Sequence, residues 1–393
     1  MSLGMSDSHE NDLNGHSTKQ QAARAAYIHV PFCAHRCGYC DFTLVARRDD
    51  LIDRYLAALD SQLQALGSPV EIDTLFFGGG TPTHLPTEKL ERLMALTRTA
   101  FRLADSAEFS IEANPVGLSR EKLDVLEAAG VTRVSLGVQS FQPAELRVLE
   151  RDHSAEDVEE VVGRLKERWD NVSLDLIFAV PGQTLAQWIE NLDRAIALRP
   201  AHISAYGLTF ERGTAFWSKL SKGMLPQADQ ELELRMYEES MDRLPAAGFA
   251  QYEISNYSRP GRECRHNQVY WNADSFYGFG PGAASFLGGV RRLNHRSVTT
   301  WLARIVAGQD PIAEVEPLSA EERAREAVMV GLRLVRGIDI TEFARRFGYG
   351  LLDLGGDAAT RFLDRGWLEI VEGRLRLTRS GRSFADSVIM EFL

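Results

Sequence analysis

Three of the four cysteines, Cys33, Cys37 and Cys40, fall within the single stretch YIHVPFCAHRCGYCDF, with three and then two residues between neighbours. One loop can bring thiols at this spacing to successive corners of an iron–sulfur cluster, and thiolates also hold zinc. Structural zinc takes four ligands, usually as two separated pairs. Here there is one triplet, and His35 or the distant Cys264 would have to complete the set. Three thiolates on a four-iron cube leave one iron open to a small molecule. The triplet therefore suits a [4Fe-4S] cluster better than zinc, with zinc as the alternative. Four cysteines in 393 residues do not make a disulfide framework.

Other residues could complete a site around such a cluster. FFGGGTPTHL (76–85) carries three consecutive glycines, which let backbone amides approach a ligand closely but also suit a plain tight turn. Glu112 in SIEANP, Gln139 in LGVQSF and Asp175 in LDLIFAVPG are lone polar residues in otherwise apolar runs. Buried polar groups need partners. Each could be a satisfied structural group, yet three at successive strand ends are better explained by a polar ligand.

The elements that must carry these residues alternate regularly. Strands are expected at 27–30, 72–79, 108–115, 131–140, 172–182 and 202–208, and helices at 51–66, 88–101, 120–129, 155–169 and 185–198. Repeated strand–helix alternation implies a parallel sheet with right-handed crossovers, whose ligands gather at the carboxyl ends of the strands. Periodicity alone does not separate an open doubly wound sheet from a partial barrel. Beyond Gly213 a long helix (229–244), a short strand (252–254) and a Gly-, Asn- and aromatic-rich stretch to about 289 follow. Three helices (321–335, 339–348, 358–365), a hairpin turning at Glu372-Gly373 and a final helix then describe a winged-helix-like α+β module. The expected division is a disordered polar tail (1–24), a barrel (25–212), a barrel extension (213–316) and the C-terminal module (317–393).

The cysteine spacing, Tyr27 before it and Tyr39 within it resemble the radical-SAM superfamily, and more narrowly the oxygen-independent coproporphyrinogen III oxidase-like family. The resemblance runs from Tyr27 to Leu393. It implies an α/β fold, a partial (β/α)6 barrel, with a [4Fe-4S] cluster on Cys33, Cys37 and Cys40 whose fourth iron chelates S-adenosylmethionine. On the family pattern Tyr27, Tyr39, Gly79, Gly80, Thr81, Glu112, Gln139, Arg151 (in LERDH) and Asp175 contact that cofactor, with a second S-adenosylmethionine left open.

Two branches share this architecture. The oxidase branch removes two propionate carboxyls from coproporphyrinogen III. It carries a further Cys two positions after the third ligand, where this chain has Phe42, and a longer N-terminal region. The heme-chaperone branch has Phe there and a His-Asn-x-x-Tyr-Trp motif, present here as His266, Asn267, Tyr270 and Trp271. Imidazole is a common axial ligand and aromatic faces pack on a porphyrin. Without the resemblance, the motif reads as loop and seam packing; with it, His266 is expected to be a heme ligand. Cys264 is a second candidate contact, though it reads more simply as a core thiol. The expected function is heme binding and transfer to an acceptor protein, with porphyrin-biosynthetic oxidation as the alternative. The resemblance leaves room for a homodimer and for peripheral contact with a membrane-bound acceptor.

Bulk properties exclude other classes. A net charge of -11 opposes non-specific binding to nucleic acid or anionic membranes. Residues 321–393 hold twelve arginines, no lysine and twelve acidic residues, so the C-terminal module lacks the basic face of a DNA reader. No apolar run reaches the roughly 20 residues of a membrane span. The polar N-terminus lacks the apolar core of an export signal, which makes the cytoplasm the expected compartment.

Overall fold

The computed structural model describes residues 22–393. The expected polar tail falls outside these residues as far as Gln21. Arg24 is held by Asp73 at 2.6 Å and Glu71 at 2.7 Å.

Six parallel strands form the heart of the molecule: β1 Ala25–Val30, β2 Val70–Gly79, β3 Phe101–Ala113, β4 Arg133–Gln139, β5 Val172–Phe178 and β6 His202–Gly207. Most of their residues are buried, the main exceptions being residues 102–107 in the first half of β3 and the carboxyl end of β6. The hairpin β7 Ala250–Gln251 and β8 Asn256–Ser258 extends one edge antiparallel, and β9 Tyr277–Phe279 pairs parallel with β1 at the other. The resulting order is β9-β1-β2-β3-β4-β5-β6-β8-β7. The six central strands lie in strict chain order. Right-handed crossovers that always step the same way place every helix on one side of the sheet. A doubly wound sheet would reverse its order at a switch point. This sheet has no reversal and its edge strands do not pair, so it is an open partial barrel with a free concave face.

Helices α1 Ile52–Gln64, α2 Thr87–Ala100, α3 Arg120–Ala128, α4 Ala155–Lys166 and α5 Leu185–Ala197 link the strands. Ser154 and Thr184 start α4 and α5 with reciprocal capping boxes. The buried faces of these helices join the strands in one core that includes Tyr55, Phe77, Phe109, Trp188 and Trp301.

Several elements depart from expectation. β3 begins at Phe101, the last residue of the expected helix. Phe101 packs edge-on against Phe279 of β9 at 5.8 Å, a tertiary contact that overrides the local pattern. The expected strand at 252–254 is a turn. The buried Glu253 carboxylate accepts from the Ser255 amide (3.0 Å) and the Asn256 side chain and closes the hairpin between β7 and β8. The motif containing His266, expected in irregular chain, is a helix, Arg265–Trp271.

The C-terminal module has its own core around Val328, Phe343, Phe362, Leu375 and Phe392. It contains helices Ala320–Gly331, Ile340–Phe347 and Leu351–Asp364, the last interrupted at Gly356 (φ 48°). Strands Leu368–Val371 and Arg374–Leu377 form the expected hairpin. Both turn residues, Glu372 and Gly373, have positive φ, as a type I′ turn demands. The expected final helix is two short ones, Arg379–Arg382 and Ala385–Met390. Between them Phe384 stacks on Trp367 at 4.6 Å.

Candidate functional site

One cavity of about 1250 Å3 opens at the carboxyl ends of β1–β6. The three clustered cysteines line it together with Tyr27, Tyr39, Gly79, Gly80, Thr81, Glu112, Gln139, Arg151, Asp175 and His266, whereas Cys264 and Trp271 lie outside its lining.

The cysteine loop follows β1 directly. Cys33 is buried, while Cys37 and Cys40 are half-buried at the cavity mouth. A polar chain joins two of the thiols. Cys33 Sγ lies 3.2 Å from Thr81 Oγ1, and Asn114 Nδ2 donates to that oxygen at 2.9 Å. Arg151 Nη2 donates to Asn114 Oδ1 at 2.6 Å, and Arg151 Nη1 reaches Cys37 Sγ at 3.8 Å. Asn114 escaped the sequence reading because Asn before Pro looks like a turn residue. Burial pushes the Cys33 thiol up to about 11 and raises Cys40 as well. Free thiols here resist ionisation, so a bound metal must stabilise the thiolates.

Among the described residues no three His, Cys, Asp or Glu side chains converge on one point as a single ion requires. A four-iron cube takes each thiolate at its own corner, and an all-sulfur donor set on one loop fits it. His35, the alternative fourth zinc ligand, is more than half exposed and faces Glu150 at 3.2 Å. Cys264 is wholly buried with its Sγ 3.6 Å from Glu108 Oε1.

The glycine strand end lies against the loop. Gly80 N donates to Val30 O and Thr81 N to Phe32 O, both at 2.8 Å. Gly79 has φ 110°, and its amide donates to Glu112 Oε2 at 3.0 Å. Asp175 accepts from Ser204 at 2.7 Å and Ser135 at 3.0 Å. Gln139 has φ 64° and follows a β-bulge at Val138, beyond which it pairs with Leu176 at the end of β4. Arg133, missed in the sequence because it opens its strand, is 2 % exposed and supplies the buried positive charge near Asp175 and Glu108.

Burial, and then the charge of Asp175, push Glu112 up to about 8. A carboxyl whose folded pKa exceeds its unfolded value costs stability as pH rises between the two values. The ligand-free protein should therefore lose stability from about pH 4.5 to about pH 8. Glu112→Gln should flatten this decline, matching the parent near pH 5 and melting higher at pH 8.5. Melting temperatures across that range check it; parallel curves for the two proteins would contradict the assignment.

His266 is set by its helix. Glu108 of β3 caps the first turn, accepting from the amides of Arg265 and His266 at 3.1 Å each. The imidazole stacks on Phe76 at 5.1 Å and meets Tyr270 edge-on at 5.2 Å. Its Nδ1 pairs with Thr74 Oγ1 at 2.9 Å and its Nε2 with the Tyr270 hydroxyl at 2.8 Å. Burial lowers its pKa to about 3, so the ring is neutral. Axial ligation through Nε2 would require the Tyr270 hydroxyl to give way.

An open (β/α)6 barrel carrying a cysteine triplet after its first strand and glycines after its second defines a radical-SAM protein. The Radical SAM superfamily model matches residues 27–195, and the HemN C-terminal domain model matches 318–384. Heme chaperone HemW of Bacillus subtilis (strain 168) is 37% identical over 376 residues, covering 94% of this chain and 99% of the relative. Heme chaperone HemW of Mycobacterium tuberculosis (strain ATCC 25618 / H37Rv) is 38% identical over 377 residues, covering 93% and 94%. The chain belongs to the HemW family of radical-SAM proteins. The coproporphyrinogen III oxidase HemN of Escherichia coli superposes with a TM-score of 0.83 at 23% identity, covering 94% of this chain and 90% of that one, and so shares its fold. Membership implies a [4Fe-4S] cluster and S-adenosylmethionine as cofactors.

Proposed function

We propose that this protein binds heme in the barrel cavity and hands it to an acceptor protein. The observation that carries this reading is its near full-length similarity to HemW heme chaperones. Phe42 supports it: the side chain is 57 % exposed on the cavity wall, where the oxidase pattern expects a cysteine. In this reading Cys33, Cys37 and Cys40 hold the cluster. Tyr27, Tyr39, Gly79, Gly80, Thr81, Glu112, Gln139, Arg151 and Asp175 surround S-adenosylmethionine. Bound together, cluster and S-adenosylmethionine supply one-electron reductive chemistry at the sulfonium. The chain's own part is to bury the nucleoside among Glu112, held by the Gly79 amide, and Asp175, held by Ser135 and Ser204, away from bulk water.

Among the described residues no helix is long and apolar enough to cross a membrane. We place the protein in the cytoplasm, where it meets its acceptor, including one at a membrane surface. Self-association would be read directly by light scattering. The functional test is anaerobic: reconstituted protein should bind hemin saturably and should not turn over coproporphyrinogen III. Sustained protoporphyrinogen formation would favour the oxidase.

His266 is the heme ligand in this reading. His266→Ala should weaken hemin binding by about tenfold or more and shift the Soret band, as loss of an axial bond does. Tyr270→Phe frees Nε2 and should bind hemin at least as tightly as the parent. Unchanged affinity and spectrum in His266→Ala would remove the assignment.

A further inference from the structure

The cavity exceeds the roughly 300–1,000 Å3 typical of one small-molecule site. The cysteine loop and the ends of β1–β5 occupy one part of its lining. Another part is built from the β7–β8 turn, with Ile254 and Ser255, and from the C-terminal module, with Arg333 and Arg382.

These two arginines differ from their neighbours. Arg374, Arg376 and Arg379 pair with Asp339, Glu369 and Asp242. Arg382 has no carboxylate partner among the described residues; its Nη1 donates to the Gln251 side-chain oxygen, and its buried Nε has no partner. Arg333 lies over the Trp271 ring at 4.8 Å, and its buried Nε is likewise unpartnered. Its one acid, Glu253, faces it through Oε2 at a long 3.8 Å, while Oε1 accepts from Ser255 and Asn256. Burial raises the Glu253 pKa, which weakens it as a counter-charge, and burial lowers that of Arg382. Glu233 and Asp386 line the same cavity and pair with neither arginine. Under-compensated guanidinium groups on a cavity wall are costly unless a ligand completes them, and their planar fork matches a carboxylate.

We propose that Arg333 and Arg382 form a carboxylate-binding subsite that seats the propionates of the bound tetrapyrrole; this deepens, and rests on, the heme-binding reading above. The macrocycle is then gripped by its acidic edge under the C-terminal module, leaving the cysteine loop free for its own cofactor.

The test compares hemin with hemin dimethyl ester, whose propionates carry no charge. The full chain, reconstituted anaerobically, is titrated with each. The parent should prefer hemin by about tenfold or more, the scale of one charge-assisted contact. Arg382→Gln and Arg333→Gln should each reduce that preference, and the double variant should bind both macrocycles alike. Arg382→Lys, which keeps the charge, should retain part of it. The comparison on the parent needs no variant to fold. If the parent binds both macrocycles equally, or the Gln variants keep the full preference, the subsite is wrong while heme binding stands. If the parent binds neither macrocycle, the heme-binding reading itself fails and takes the subsite with it.

Discussion

Single replacement of Cys33, Cys37 or Cys40 by alanine should take bound iron from about four per chain to near zero and abolish the visible iron–sulfur absorption. The same change at Cys264 should leave both intact. The first three thiols share one loop at the cavity mouth, and two of them are tied through Thr81, Asn114 and Arg151. Cys264 lies buried against Glu108, within the cap of the next helix, and does not line the cavity. A cluster on three protein ligands already has an uncoordinated iron, so two remaining thiolates hold it poorly. Iron and sulfide analysis of the four variants, made anaerobically, checks this. Retention of a full cluster by any of the three, or its loss only in Cys264→Ala, would overturn the ligand set.

Gly79→Val should both destabilise the fold and empty the nucleoside part of the cavity. A side chain at φ 110° is strained, and a Cβ there would lie 2.5 Å from the His29 ring, which is itself fixed by Thr43 O at 2.5 Å and Tyr27 at 3.0 Å. Backbone strain of about 1–3 kcal/mol and overpacking of similar size together cost on the order of 4 kcal/mol. That is a large share of the 5–15 kcal/mol typical of a domain. Relief of the clash would also pull the Gly79 amide off Glu112. Gly117→Ala serves as a control: φ is 85° but nothing lies within 4 Å of the new methyl group, so it should cost on the order of 1 kcal/mol. Denaturant melts of both, with S-adenosylmethionine retention measured by equilibrium dialysis, check the pair. Equal losses would show that strain alone acts at Gly79.

Much of this site was legible in the sequence because its chemistry is local. Cys33, Cys37 and Cys40 share one loop, the glycine triplet ends one strand, and Glu112 and Asp175 interrupt apolar runs. What stayed hidden depends on partners far along the chain. Glu108 caps a helix 157 residues later, through the Arg265 amide, and so makes a helix of a stretch whose composition reads as loop. Thr74 meets His266 across 192 residues, a pairing no spacing rule reveals. Glu253 folds back on its own turn and erases an expected strand. Phe101 leaves a helical pattern because β9 offers it a buried aromatic contact. The barrel geometry itself needed the strand order, which helix and strand periods do not encode.

The most direct measurement is the electron paramagnetic resonance spectrum of the anaerobically reconstituted, reduced protein, recorded with and without S-adenosylmethionine. An open iron facing the cavity should give a cubane signal that changes shape when the nucleoside binds, and Cys37→Ala should give none. A preparation that carries only zinc, or a cluster whose signal ignores S-adenosylmethionine, would contradict a three-thiolate site with a vacant corner.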